Sequence, residues 1–196
     1  CGSATELDQE SSSVDLVITD PPFGDIMQYS ELSGMFYSWL RVVLKDEYKH
    51  FEPPNAPTAL EAVANGFRHG SDADDFYKRA LTAAWSEAHR VLKPGGILSF
   101  TFHHDKDEPW IAVLESLFDA GFYLEATFPV RSDETKGEGS DPGTFGAQKV
   151  EYDMMHVCRK RNFEPTPVSW ARMRREVLRE VRQMAEILEL HQKAGL

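Results

Sequence analysis

The sequence predicts an α/β fold, and three observations carry that prediction. A short run rich in β-branched residues, Val14–Thr19, stops abruptly at Asp20-Pro21-Pro22-Phe23-Gly24. Two stretches with apolar residues at helical spacing follow. A second apolar run, 97–102, then comes straight after Leu92-Lys93-Pro94-Gly95-Gly96. Strand, helix, strand, helix, strand is the rhythm of a doubly wound sheet. With 196 residues, 41% hydrophobic and 27% charged, the chain has enough apolar side chain for one real core.

Taken in order, Val14–Thr19 is apolar on both faces and reads as an interior parallel strand. In Tyr29–Leu44, Leu32, Met35, Phe36, Trp39, Leu40 and Val43 recur at helical spacing, so this is an amphipathic helix with Phe36 and Trp39 in the core. Residues 45–74 lose that period and gain Pro53, Pro54, Pro57, Gly66 and Gly70. They read as a long loop, either a lid over substrate or a solvated insertion. A second helix over 75–92 carries Phe76, Ala80, Leu81, Ala84, Trp85, Ala88, Val91 and Leu92 on one stripe, with Asp72 or Asp74 as its cap. After the 97–102 strand, Pro109 opens a third helix with Trp110, Val113, Leu114, Leu117 and Phe118 inward, closed by Gly121. Residues 123–130 and 151–159 read as two strands joined without a helix, hence antiparallel. Beyond Pro165 and Pro167 lies a long helix with Met173, Val177, Val181, Met184 and Leu188 at steps of four and three.

No apolar run approaches the roughly 18 residues that a membrane span requires. Cys1 and Cys158, the two cysteines, lie far apart and in no C-x-x-C pair, so the expected compartment is a reducing cytoplasm. The formal net charge is −11, and residues 151–196 alone carry +2, which leaves −13 on residues 1–150. A nucleic-acid partner would therefore find most of its phosphate contacts outside this chain. The chain opens on Cys1 rather than Met, as a piece of a longer or processed protein does.

The Asp-Pro-Pro-Phe turn is where chemistry is expected. Ligands of open α/β sheets bind just beyond the carboxyl ends of parallel strands, which is where Asp20 falls. Pro21 and Pro22 fix the backbone and lack N–H groups, leaving nearby carbonyl oxygens as unshared acceptors. A carboxylate and a fixed carbonyl together suit a planar –NH2 group with its two donors. Accepting both hydrogens frees the nitrogen lone pair for attack on an electrophilic methyl group. Phe23 offers a face for base stacking, worth about 1–3 kcal/mol per base, and a base reached this way must leave the duplex or come single-stranded.

At this point the sequence resembles the amino-group nucleic-acid methyltransferases, whose signature is an Asp/Asn/Ser-Pro-Pro-aromatic turn after the fourth strand. The stretch "GSATELDQESSSVDLVITDPPFGDIMQYSELSGMFYSWL" is most similar to large adenine-specific DNA methylases of prokaryotes. The "LKPGG" at Leu92–Gly96 is shared widely among S-adenosylmethionine-dependent methyltransferases. The resemblance covers roughly residues 2–160. It implies a Rossmann-like methyltransferase sheet lacking its first strands, with residues 1–162 as the C-terminal part of a catalytic domain and 163–196 as a helical extension. It implies S-adenosylmethionine as cofactor and methylation of adenine N6 in DNA. Asp20 and the Pro21 carbonyl would hold the amine, Pro22 would stiffen the turn and Phe23 would stack on the base. Ser3, in Gly2-Ser3-Ala4, falls where such enzymes often have Gly-Asp-Ala beside the cofactor, with Ser in place of the usual acid; Asp20 would lie beside the cofactor as well. The Gly-rich cofactor loop that follows the first strand in these enzymes has no counterpart before Asp20. Gly137-Glu138-Gly139 has its letters but joins no strand to a helix. A missing N-terminal half, or a second subunit, is expected to supply it.

Other assignments stay open alongside. Tyr29, Glu31 and Ser33 would shape the base pocket, or else Ser30 or Ser33 caps the helix. His103-His104-Asp105 is a polar strand end rather than a metal site, because neighbours on a strand point to opposite faces; His104 or Asp105 would line the pocket mouth. Arg172, Arg174, Arg175, Arg179 and Arg182 would meet phosphates, or belong to a packing or oligomer helix in which Glu176, Glu180, Glu186 and Glu189 offset them. The same motif serves cytosine N4, and related signatures occur in RNA and protein amide methylation. The alternative from another class is a non-catalytic, split or degenerate methyltransferase module that binds nucleic acid or a partner protein.

Overall fold

The structure is a computed structural model and describes residues 2–131 and 152–194. It falls into two compact units, Cys1–Arg161 and Asn162–Leu196. The first is α/β, as the sequence predicts. Its elements run β1 (Val14–Thr19), α1 (Tyr29–Leu44), α2 (Gly66–His69), α3 (Ala73–Val91), β2 (Leu92–Phe102), α4 (Asp107–Asp119), β3 (Phe122–Arg131) and β4 (Tyr152–Lys160). The second unit holds α5 (Trp170–Ala194). The Gly137-Glu138-Gly139 loop and Cys1 lie outside the described residues.

The four strands pair in the order β1-β2-β4-β3. β1 and β2 are parallel, joined through α1 to α3 in a crossover, and β4 runs antiparallel to both β2 and β3. The last two strands are thus antiparallel, as a connection without a helix requires. β1, expected in the interior, is instead an edge strand among the described residues, with Leu16 48% and Ile18 73% exposed. The apolar character of both its faces was a true feature of the sequence, but nothing in the described chain covers one of them.

The core lies on the other face of the sheet. Leu98, Phe100 and Phe102 alternate inward along β2 and meet Tyr77, Leu81, Trp85 and Ala88 of α3 and Ala112, Val113 and Leu117 of α4. Period two on the strand and period three to four on the helices put these side chains on facing surfaces. Trp85 Nε1 donates to Ser116 Oγ at 3.1 Å, so a buried indole N–H and a buried hydroxyl satisfy one another. α3 carries Asp74 and Asp75 in its first turn and His89 and Arg90 in its last, the polarity that the helix dipole favours. It passes straight into β2 at Leu92, so the strand begins five residues before the expected Ile97. Lys93 to Gly96 form an irregularity there, in which Val14 pairs with Leu92 and Leu16 with Ile97. Gly96 is required at this crossing: a Cβ on it would stand 3.0 Å from the Lys93 carbonyl oxygen and 3.1 Å from that of Asp15.

α1 departs most from expectation. None of its residues is buried, and Phe36 and Trp39, read as core, are 62% and 74% exposed. Its spacing is helical and its stripe apolar, but no described element packs on that stripe. The helix is held by polar contacts at its N-terminus and along the opposite side, where Tyr37 stacks on Phe51 at 5.3 Å and donates to the His50 and Pro53 carbonyls, and Arg41 donates to the Glu52 and Pro53 carbonyls. Ser30 donates from its backbone N–H and its hydroxyl to Glu61 rather than capping the helix, and Arg68 bonds both Glu61 and Ser30.

Candidate functional site

The turn after β1 is fixed by contacts on several sides. Asp20, exposed at the carboxyl end of the strand, accepts a hydrogen bond at Oδ1 from the Thr101 hydroxyl. The register places Thr19 beside Phe100, so Asp20 and Thr101 share one face of the sheet. Pro21 is buried, and its carbonyl oxygen has no hydrogen-bond partner among the described residues. Pro22 differs: its carbonyl accepts from the Tyr77 hydroxyl at 2.5 Å and from the Gly24 N–H at 3.2 Å. One proline carbonyl is thus spent on holding the turn while the other is unpaired among the described residues.

Burial of Tyr77 pushes its phenol well above the ordinary tyrosine range, against a smaller opposing effect of the Gly24 backbone. The hydroxyl therefore keeps its proton and remains a donor. Gly24 adopts φ +62°, and a Cβ there would stand 3.0 Å from Pro109 Cγ and 3.4 Å from His104 Nε2. Its carbonyl accepts from the Ala64 N–H at 3.1 Å.

That last bond ties residues 61–69 to the turn. Val63, Ala64 and Asn65 are buried. Asn65 caps α2 by accepting from the N–H groups of Phe67 and Arg68, and its amide donates to Gln28 Oε1 at 2.7 Å. Burial works to raise the Glu61 pKa, but hydrogen bonds from Arg68 and Ser30 and the Arg68 charge outweigh it and hold the carboxyl below its usual value. This segment is a fixed wall behind the turn.

Phe23 is half-buried, with its ring edge-on to Phe102 at 5.2 Å and to His103 at 4.6 Å between centroids. His103 in turn bonds through Nδ1 to Asp153 Oδ1 on β4. His103, not His104, therefore borders Phe23. The His104 side chain is almost fully covered behind Gly24; its Nδ1 accepts from the Lys106 N–H at 3.0 Å and its Nε2 faces Asp25 at 3.5 Å. Strand alternation is the physical reason, since the even positions of β2 point into the core and the odd ones away from it. Asp105 is exposed.

Tyr29 lies beside an apolar groove with Leu32, Phe36, Pro57 and Leu60, at the start of α1. Ser3 sits in a tight turn of its own: its hydroxyl bonds Thr5 Oγ1 at 2.8 Å and its carbonyl accepts from the Glu6 N–H. The structure thus gathers Asp20, Pro21, Pro22 and Phe23 with Thr101, His103, Asp153 and Tyr77; Tyr29 borders that group through its electrostatic effect on Tyr77, whereas the hydrogen bonds of Ser3 stay within its own turn. Thr101 and His103 had a signal in the sequence, two positions apart at the end of a strand. Tyr77 and Asp153 had none without the register.

No family model matches the chain, and no curated protein matches it. Among solved structures it is similar to TTHA0409 of Thermus thermophilus, a protein provisionally named a DNA modification methylase. One structure of that protein has 17% identity to this chain and a TM-score of 0.43, over 86% of this chain and 56% of that one. A selenomethionine form has 18% identity and a TM-score of 0.41, over 86% and 54%. A complex with S-adenosyl-L-methionine has 16% identity and a TM-score of 0.43, over 86% and 55%. The chain spans about half the length of that protein. Likeness at this level assigns no activity to the chain.

Proposed function

We propose that this chain provides the amine-holding face of an S-adenosylmethionine-dependent methyltransferase that acts on an exocyclic amino group, adenine N6 in DNA in its most concrete form. The observation that carries the reading is the succession of two acceptors in one turn: the Asp20 carboxylate, oriented by Thr101, and the Pro21 carbonyl, unpaired among the described residues, two residues before Phe23. An –NH2 group with both hydrogens accepted holds its lone pair clear of them, and the base carrying it stacks on Phe23. Electrostatic positioning of this kind acts without reorganisation at the moment of reaction. The cofactor would supply an electrophilic methyl group. On the cofactor side Asp20 fits, being exposed at the strand's carboxyl end, whereas Ser3 spends its hydroxyl within its own turn. In the intact protein, Asp20→Ala is expected to abolish binding of adenosine and methyl transfer to it while leaving the protein folded. Equal turnover by that variant would refute the reading.

A second reading has its own support. The exposed stripe of α1, the uncovered side chains of β1 and the −13 charge of residues 1–150 describe a module completed by another polypeptide. Calorimetric titration of S-adenosylmethionine against the chain bears on both. Binding favours the enzyme; no binding shows that the chain alone is incomplete, in which case a Gly-rich cofactor loop upstream in the native reading frame restores the enzyme reading.

A further inference from the structure

Methylation of an amine leaves the nitrogen with one proton too many, and the two acceptors of the turn do not by themselves say where that proton goes. Resting on the methyl-transfer reading, we propose that His103 accepts it at Nε2, with Asp153 as the positioning residue that makes the ring a base. As the N–C bond forms from the nitrogen lone pair, the electron pair of the donor's S–C bond stays with sulfur and cancels its positive charge. The proton shed by nitrogen passes to His103 Nε2, and solvent then carries it away.

The geometry is specific. His103 follows Thr101 by two residues, so both project from the sheet face on which Asp20 lies. Phe102 pairs with Met154 across the β2–β4 ladder, which sets Asp153 opposite His103. The Asp153 carboxylate accepts from Nδ1, so the neutral ring carries its proton there and presents a lone pair at Nε2. Nε2 has no hydrogen-bond partner among the described residues, and the side chain is 18% exposed, so the ring is steadied on one side and open on the other. It also touches Phe23, at 4.6 Å between centroids, so a base stacked on Phe23 lies against it. The carboxylate bonded to the ring is that of Asp153, and that of Asp20 is bonded to Thr101, two residues before His103. A carboxylate that fixes the tautomer of a histidine and steadies its charged form is the arrangement by which histidines serve as general bases.

The test uses the intact protein, including the part that completes the cofactor site, with S-adenosylmethionine as methyl donor and adenosine as the base. Ring 15N shifts of the free protein are expected to show Nδ1 protonated and Nε2 bare at neutral pH, with the tautomer lost in Asp153→Asn. Protonated Nε2 in the wild type overturns the inference. His103→Gln is expected to bind adenosine within about twofold of wild type yet to lose roughly 10²-fold or more in kcat, with partial recovery on added imidazole. Unchanged kcat, or equal losses in binding and rate without rescue, refutes the role of His103 while the methyl-transfer reading stands. If the wild type neither binds adenosine nor transfers methyl to it, and Asp20→Ala behaves identically, the reading itself fails and the inference falls with it.

Discussion

Tyr77→Phe removes a single oxygen from the buried flank of the Asp20–Gly24 turn and leaves the ring in place. Tyr77 is 1% exposed, and its hydroxyl donates to the Pro22 carbonyl at 2.5 Å. The cost depends on what that carbonyl keeps. It retains the Gly24 N–H at 3.2 Å, so the acceptor is not orphaned by the substitution. The loss should therefore match one net hydrogen bond, about 0.5–1.5 kcal/mol, and not the full penalty of an unsatisfied buried group. For a chain of this size that is a fall in Tm of roughly 2–4 °C per kcal/mol. Thermal unfolding followed by far-ultraviolet circular dichroism reads the stability, and adenosine affinity reads the turn. Both are expected to fall, the affinity because the open Pro21 carbonyl sits one residue from the released one. A variant as stable as wild type would refute the claim that Tyr77 anchors the turn. A loss above about 3 kcal/mol would show that the Gly24 N–H does not compensate for the lost hydroxyl and that the Pro22 carbonyl is left unsatisfied.

Two further outcomes follow from the same wall. Gly24→Ala places a Cβ 3.0 Å from Pro109 Cγ at a backbone φ of +62°, so it should cost about 1–2 kcal/mol by denaturant unfolding and weaken adenosine binding more than Tyr77→Phe does. Stability should also fall with acid in two stages. Burial lowers the pKa values of His89, with help from the Lys160 charge, and of His156 below 6.5, so the unfolded chain takes up protons that the folded one refuses as pH drops through 6.5. Arg90 and the Leu7 N–H hold Glu87 down at about 2. Glu61 also lies below 4.5, because its bonds with Arg68 and Ser30 outweigh the effect of burial. Their contributions are complete above 4.5 and are lost as pH falls below it, and for Glu87 that loss runs down to about 2. Urea midpoints measured from pH 7 to pH 3 check this; a flat profile between 6.5 and 5 would contradict the histidine part.

The sequence by itself determined the order of the strands and long helices of residues 2–131, though not the short α2 within the stretch read as a loop, together with the antiparallel final pair and the position of the Asp20 turn. Those features follow from local chemistry. Apolar period separates strands from helices, glycine and proline mark the breaks, and a double proline after an apolar run fixes a strand's end. What the sequence could not decide was which surfaces meet. Phe36 and Trp39 have the spacing of a core helix, but burial depends on a covering element, and none among the described residues supplies one. His103 and His104 are adjacent and alike in chemistry. Only the register of β2 against β1 and β4 sent one behind Gly24 and the other to Phe23 and Asp153. The two proline carbonyls were likewise equivalent until Tyr77, 55 residues further along the chain, took one of them. Long-range contacts are not encoded in local period, and it is these contacts that turn a hard stop at the end of a strand into a pair of acceptors held in place.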